Sequence, residues 1–151
     1  MKTIIALLFV CIGYSAYAQT NLNDYKYIIV PKKFDSFKET NEFQTSTLIK
    51  YLFTGKGFNV VYDDALPNDL NSNRCLGLMT YLQDAGNLFT TKTSIVLKDC
   101  NNNIVFTSME GTSKEKQFKA AYTESIREAM RSFNDTDYAY NGKSEKNEAV
   151  T

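Results

Sequence analysis

Two cysteines at the outer ends of two strand-like segments constrain the fold more than any other feature of this sequence. Segments 75–83 and 92–100 both alternate between apolar and polar residues, as strands with one buried face do. If they pair as an antiparallel hairpin with equal arms, Cys75 lies directly opposite Cys100. A slip of one residue would exchange the two faces of one strand and separate the cysteines. This register predicts a disulfide between Cys75 and Cys100.

The same register also predicts which face of the hairpin is buried. Gln83 faces Lys92, and one face becomes mostly apolar, with Leu76, Leu78, Thr80 and Leu82 against Thr93, Ile95, Leu97 and Asp99. A second hairpin, with its turn at Asn101 and Asn102, places Leu97 opposite Phe106 and Asp99 opposite Ile104. We therefore expect Ile104 and Phe106 to join the core face.

The N-terminus has the three parts of a secretory signal peptide. Lys2 provides the positive start, an apolar run follows, and Ala16-Tyr17-Ala18 forms a small-x-small motif. The apolar run is shorter than the roughly 20 residues that a membrane-spanning helix needs. We expect residues 1–18 to be removed by cleavage between Ala18 and Gln19, and the mature chain to be periplasmic or secreted.

Cleavage of this signal also determines the number of cysteines. Cys11 lies within the apolar run and follows Val10, which is not the small residue that a lipoprotein signal requires. An outer-membrane lipoprotein is therefore not expected, and Cys11 leaves with the signal. The two remaining cysteines reach a compartment that permits disulfides. Their bond would close a loop of about 25 residues, worth on the order of 3 kcal/mol in the chain-entropy model.

Composition excludes several classes of function. The chain has 17 Lys and Arg against 17 Asp and Glu, and loss of Lys2 leaves one excess negative charge. Such a chain has no overall basic field for nucleic acid or anionic lipid. It has no His, so it lacks the usual general base and the commonest metal ligand. We predict no cofactor, no metal ligand and no membrane span after cleavage.

A strand, a helix and a second strand open the predicted domain. Residues 25–30 have the continuous apolar run of a buried strand, and residues 58–62 form the second strand. Between them a capping box at 36–39 predicts a helix that ends at Gly55 and Gly57. Its predicted apolar face consists of Phe43, Thr47, Leu48, Tyr51 and Leu52. Segment 63–74 has no periodicity and is predicted to be a loop.

The C-terminal half completes the predicted order β-α-β-β-β-β-α. Residues 104–110 form the last strand, and a capping box at 112–115 starts a helix whose apolar residues repeat every three or four positions up to Phe133. Both helices need the same sheet face. The prediction is a two-layer α+β sandwich, with a mixed, mostly antiparallel sheet of about five strands and two helices on one face. This single domain covers residues 19–133, and residues 134–151 form a flexible polar tail.

Two acidic segments are candidate calcium sites. Asp99, Asn101, Asn103 and Glu110 have the spacing of four ligands of a calcium loop, but Ile104 stands where that loop needs glycine. An Asn-rich hairpin turn explains the same residues. The loop with Asp63, Asp64 and Asp69 could bind calcium weakly, although solvated turns commonly have this composition.

Other polar and aromatic groups have simpler interpretations. Tyrosines on the predicted strands could line a binding surface, yet strand aromatics commonly pack; these are Tyr25, Tyr27, Tyr62 and Tyr81. Glu115, Glu124 and Glu128 lie on the polar side of the last helix and favour solubility. Asn134-Asp135-Thr136 matches a glycosylation sequon. We predict no catalytic residue.

Several motifs resemble a group of small secreted proteins of Bacteroidota, mostly uncharacterised and found especially in flavobacteria. These are Tyr27-Ile28-Ile29-Val30-Pro31, Asn73-Arg74-Cys75, Leu97-Lys98-Asp99-Cys100 and Phe106-Thr107-Ser108-Met109-Glu110-Gly111. The resemblance spans roughly residues 25–133. The element order is also similar to periplasmic lipoproteins of unknown function and to the N-terminal domain of TolB. These resemblances imply an envelope location and interaction roles, with no catalytic residues.

Together these observations favour a non-enzymatic envelope or secreted domain that binds an envelope protein or a cell-wall component. The expected contact regions are an exposed sheet edge and the 63–74 loop. A small carboxylate-based hydrolase is the first alternative, because Asp and Glu pairs can cleave glycosides without His. A calcium-dependent adhesion module is the second.

Overall fold

A computed structural model describes residues 21–146 of the 151-residue chain. The elements in chain order are β1 (Tyr27–Val30), α1 (Thr45–Gly55), β2 (Val60–Tyr62), α2 (Asn68–Ser72), β3 (Gly77–Asp84), β4 (Thr91–Lys98), β5 (Ile104–Thr107), β6 (Gly111–Ser113), α3 (Phe118–Ala129) and α4 (Lys143–Lys146). The predicted signal peptide and its cleavage site at Ala18 and Gln19 lie outside the described residues. Within residues 21–146, no helix is long and apolar enough to cross a bilayer.

The strands form one mixed sheet in the order β2-β1-β3-β4-β5, and β6 pairs with β4. β1 is parallel to both β2 and β3. β4 is antiparallel to β3, and both β5 and β6 are antiparallel to β4. The predicted β-α-β start is confirmed, since β1, α1 and β2 follow one another and the two strands pair in parallel.

The core lies between one face of this sheet and the helices α1 and α3. Its fully buried members include Ile49 and Phe53 of α1, Leu78, Ile95 and Leu97 of the sheet, and Ile126 and Ala129 of α3. This arrangement confirms the predicted α+β sandwich with two helices on one face. Burial of these side chains, each worth about 1.5–3 kcal/mol for a large residue, holds the two layers together.

A second, smaller cluster lies on the opposite sheet face and corrects the predicted 63–74 loop. Leu70 of α2 is fully buried there beside Tyr27, Ile29 and Leu76. The segment lacks a periodic pattern because a helix of five residues buries only one side chain of its own. Leu70 therefore anchors this predicted contact loop against β1.

The first helix begins later than the capping box predicts. Asn41, Phe43 and Gln44 all have positive φ, so helical geometry cannot begin before Thr45. The Glu42 carboxylate does accept the backbone N–H groups of residues 38 and 39, but within a local turn. The predicted apolar face is only partly correct. Leu48 and Leu52 do pack against the core, but Tyr51 is 68% exposed and the fully buried residues of the helix include Ile49 and Phe53.

The hairpin register differs from the prediction by two residues. Gln83 pairs with Ser94 instead of Lys92. Since side chains alternate with a period of two, this shift keeps Leu78, Thr80 and Leu82 on the core face as predicted.

The predicted register of the β4–β5 hairpin is correct at one end only. Leu97 pairs with Phe106 as predicted, but an irregularity between Leu97 and Lys98 pairs Lys98 with Ile104. Ile104 therefore points to solvent with 62% exposure, and its predicted place in the core is wrong.

The predicted strand 104–110 is two strands with a break between them. Ser108 lies at the break between β5 and β6. Its backbone N–H donates to the Ile95 carbonyl, and its Oγ accepts the Ile95 N–H at 2.8 Å. The chain then pairs again with β4 as β6, so the predicted capping box at 112–115 is wrong and α3 begins at Phe118. β6 lies directly against α3, since a Cβ on Gly111 would come within 1.8 Å of the Ser125 carbonyl oxygen.

Residues 134–146 differ from the flexible tail that the sequence predicts. The Tyr138 ring stacks on Phe58 at 4.4 Å between centroids, and its hydroxyl donates to the Tyr25 carbonyl at 2.6 Å. The Asn141 backbone N–H donates to the Asn23 carbonyl at 2.9 Å. One aromatic ring and a few amides are enough to dock a segment whose composition is otherwise polar.

Candidate interaction surface

The two ends of the β3–β4 hairpin carry the candidate functional residues. We define the disulfide end as the region around Cys75 and Cys100. The structure contains the predicted disulfide, with Cα atoms 4.9 Å apart. Because of the shifted register, its cysteines lie in the turn before β3 and the turn after β4, beyond the last ladder pair, Met79 and Lys98.

A cleft of about 350 Å³ beside the disulfide is lined by two carboxylates, Asp24 and Asp99. Asp24 accepts the Asn141 side-chain amide at 2.6 Å and lies 3.5 Å from the Lys143 ammonium. Asp99 Oδ1 accepts the backbone N–H groups of Asn101 and Asn103 at 2.9 and 2.8 Å. Both carboxylates therefore accept hydrogen bonds from their own chain and stabilise the structure around the cleft.

The four residues of the calcium-loop pattern do not come together. Glu110 pairs with Lys92 at 3.5 Å near the start of β4, whereas Asp99 follows the end of that strand. Seven residue steps of about 3.3 Å each, from Lys92 to Asp99, put the two acidic groups roughly 23 Å apart. Among residues 21–146, no group of three or more Cys, Asp or Glu side chains could hold a metal ion.

The three aspartates of the acidic loop do not form one site, because they contact different parts of the chain. Asp69 accepts the Lys26 ammonium at 2.7 Å and the Tyr27 hydroxyl at 3.0 Å. The Lys26 hydrogen bond, helped by Tyr27, lowers the pKa of the Asp69 carboxyl, and the same bond raises the pKa of Lys26 to about 12. Asp63 instead accepts the Lys32 N–H at 3.0 Å, and Asp64 lies 3.6 Å from the Lys32 ammonium.

The four candidate tyrosines do not form one surface either. Tyr25 and Tyr27 are buried, and burial, with a smaller contribution from Asp99, raises the pKa of Tyr25 to about 12. Tyr62 and Tyr81 each lie under a lysine ammonium at 4.5 Å, from Lys32 and Lys98 respectively.

The remaining candidates hold elements together. Two carboxylates of α3 bind β6, since Glu124 accepts the Ser113 hydroxyl at 2.9 Å and Glu128 accepts the Thr112 N–H at 3.1 Å. Their contribution thus goes beyond the predicted solubility. The Asn134 side-chain oxygen of the sequon accepts the Lys56 ammonium at 2.6 Å.

The opposite end of the hairpin presents apolar side chains to solvent. The hairpin loop, residues 85–90, exposes 95% of Leu88 and 85% of Phe89. This loop is ordered by its own polar groups: Asn87 Oδ1 accepts the N–H groups of Phe89 and Thr90 at 2.9 and 3.0 Å, and Asp84 accepts the Gly86 N–H at 3.0 Å. The backbone of the loop is therefore held in place, while the side chains of Leu88 and Phe89 are exposed.

An aromatic cluster lies next to this loop. Phe118, at the start of α3, is 64% exposed and lies 5.5 Å from the ring of Phe43. Phe43 stacks on Tyr122 at 5.3 Å, and Tyr122 meets Phe37 edge-on at 5.0 Å. Phe43 holds this position with φ of 53°, a backbone strain that costs of order 1–3 kcal/mol.

A groove of about 320 Å³ joins the hairpin loop to segment 114–118 and is lined by Leu88, Phe89, Phe118 and two lysines, Lys114 and Lys116. We call this groove, with the hairpin loop and Phe43, the hairpin end. Sequence reasoning missed this surface. The available signal was Leu88-Phe89, an apolar pair in a short connection that should be polar.

No protein-family model matches the chain, and no curated protein matches it. Among solved structures, two dodecameric structures of PelC from Paraburkholderia phytofirmans align with part of this chain. A single-residue variant gives a TM-score of 0.49 with 12% identity, covering 76% of this chain and 92% of that chain. The other gives 0.47 with 11% identity, covering 76% and 93%. At this level of similarity, neither structure informs the function of this chain.

Proposed function

We propose that this chain is an exported, non-enzymatic binding module that docks onto a component of the cell envelope through its hairpin end. The observation that carries the proposal is the exposure of Leu88 and Phe89 on an ordered loop. Burial of each side chain against a partner is worth about 1.5–3 kcal/mol. Since Asn87 holds the loop backbone, little backbone entropy remains to be lost on binding.

Export is supported by the signal-like N-terminus and by the disulfide, which persists in an oxidising compartment. These features favour a periplasmic or secreted location. The envelope is the structure that such a module meets after export.

A binding role is favoured over the hydrolase alternative by the state of the carboxylates. A glycoside hydrolase needs an acid and a base poised beside a substrate cleft. Asp24 and Asp99 line a cleft, but both accept hydrogen bonds from their own chain, Asp24 from the Asn141 side chain and Asp99 from the turn after β4. Calcium-dependent adhesion is disfavoured because Asp99 and Glu110 stand at opposite ends of β4.

The test is fractionation of cells that produce the full chain. Replacing both Leu88→Ser and Phe89→Ser should move the protein from the envelope fraction to the soluble exported fraction by about ten-fold or more. Tyr51→Ser is the matched control, because Tyr51 is an exposed aromatic residue on α1. Equal distribution of the double variant and the wild type would rule out the hairpin end as the docking surface.

A further inference from the structure

We infer that the component bound by the hairpin end is the headgroup and acyl boundary of a phospholipid bilayer, an inference that rests on the proposed function. The shape of the hairpin end favours a bilayer as the partner. Leu88 and Phe89 project from the tip of a hairpin and are exposed almost completely. A protein partner would need a matching cavity for such a projection, whereas the interfacial region of a bilayer accommodates Leu and Phe side chains without one.

Most backbone N–H groups of the hairpin loop have partners within the chain, which suits an apolar environment. In lipid, an N–H group without a partner costs several kcal/mol. Here Asp84 accepts the N–H of Gly86, and Asn87 accepts those of Phe89 and Thr90. The loop can therefore enter the boundary without exposing these amides.

Charge complementarity supports the same partner. Lys114 and Lys116 line the groove together with one acidic residue, Glu115, and Lys119 follows Phe118 by one residue. In the part of the chain that the structure describes, these three lysines form no salt bridge. Lysine stems can lie along apolar surface while the ammonium groups reach lipid phosphates.

Two further carboxylates near this end, Asp84 and Glu42, keep their negative charge but do not line the groove. Asp84 accepts the Tyr122 hydroxyl as well as the Gly86 N–H, and Glu42 accepts two backbone N–H groups. The charge of the whole chain is near zero, so this lysine group is a local feature that overall composition does not reveal. Each lysine should strengthen binding to anionic lipid by roughly five-fold.

The binding experiment uses the purified mature chain and vesicle flotation at millimolar lipid, because two side chains hold less firmly than a full acyl chain. We expect flotation with vesicles that contain phosphatidylglycerol and weaker flotation with phosphatidylcholine alone. Leu88→Ser with Phe89→Ser should lower binding by about ten-fold or more, whereas Tyr51→Ser should leave it unchanged. Lys114→Gln with Lys116→Gln should weaken binding to the anionic vesicles only.

A fluorescence measurement locates the contact, because the chain contains no Trp. Phe89→Trp should give a blue shift on addition of vesicles and quenching by brominated lipid. Tyr51→Trp, the matched probe on α1, should show neither change.

Absence of both flotation and the Phe89→Trp shift would overturn the lipid inference. If the Leu88 and Phe89 double variant still leaves the envelope fraction in that case, the proposed docking surface stands and its partner is an envelope protein or a cell-wall component. If the double variant also stays in the envelope fraction, both proposals fail.

Discussion

The two ends of the β3–β4 hairpin are built in opposite ways. At the disulfide end, Cys75 and Cys100 are joined covalently, and the nearby carboxylates of Asp24, Asp69 and Asp99 accept hydrogen bonds from their own chain. At the hairpin end, Leu88 and Phe89 are exposed. The polar groups of the disulfide end are hydrogen-bonded within the chain, whereas the hairpin end exposes apolar side chains that a partner could bury.

This difference separates stability from binding in the molecule. At the disulfide end, three segments are in contact: the start of β1, the turn before β3 and the residues after α3. The hairpin end contributes exposed side chains and a strained backbone at Phe43. Substitutions at the disulfide end should therefore change unfolding, whereas substitutions of Leu88 and Phe89 should change docking.

Removal of the disulfide should have the largest effect on stability. Cys75→Ser with Cys100→Ser should lower the free energy of unfolding by about 3 kcal/mol, because the unfolded chain regains the entropy of a 25-residue loop. Urea unfolding with and without reductant measures this loss, and the reduced wild type should match the variant. Binding through the hairpin end should persist under native conditions. A loss below about 1 kcal/mol would show that the hydrogen bonds at this end suffice without the covalent link.

The second prediction concerns the support of the hairpin end. Gly111→Ala should destabilise the fold by about 2–3 kcal/mol, because the new Cβ would meet the Ser125 carbonyl oxygen of α3, which cannot move aside as a side chain can. A thermal melt should show a fall of roughly 10 °C. Gly55→Ala is the matched control: its new Cβ would have no atom within 4 Å, so the melt should be unchanged or slightly higher. An unchanged melt for Gly111→Ala would mean that β6 is only loosely seated.

Sequence patterns predicted the parts of the fold that depend on periodicity. The alternation in β3 and β4 identified their buried face and the cysteine pair, and both survive a register error of two residues because that error preserves the faces. The last helix followed from its apolar repeat, although its start was placed too early. The break at Ser108 depends on a single side-chain hydrogen bond to Ile95, which no periodic pattern encodes.

The features that were missed depend on contacts between distant residues. The start of α1 was placed too early because positive φ at Asn41, Phe43 and Gln44 delays the helix, and no sequence motif predicts this backbone geometry. Tyr138 docks on Phe58 from 80 residues further along the chain. The hairpin end brings together segments 85–90 and 114–118 with Phe43, which no short motif connects.

The smallest predicted effect concerns the Lys26–Asp69 ion pair. It tests whether this ion pair stabilises the fold in addition to the disulfide. The pKa of the Asp69 carboxyl is below its ordinary value of 3.8, chiefly because Lys26 donates to it. A lowered pKa in the folded state stabilises the protein above pH 3.8, and this contribution disappears as the pH falls from 3.8 through the folded-state pKa. The wild type should therefore lose more stability than Asp69→Asn on acidification below about pH 4.

Urea midpoints measured from pH 7 to about pH 2 give the comparison. The curves of the wild type and Asp69→Asn should converge on the acid side. Tyr27→Phe removes one of the two side-chain donors to Asp69 and keeps the ring, so its acid loss should be intermediate. Parallel curves for all three proteins would show that the Asp69 bonds do not distinguish the folded from the unfolded state. In that case the disulfide end would owe its stability to the Cys75–Cys100 bond and to packing, and the contrast with the hairpin end would rest on covalent and apolar contacts alone.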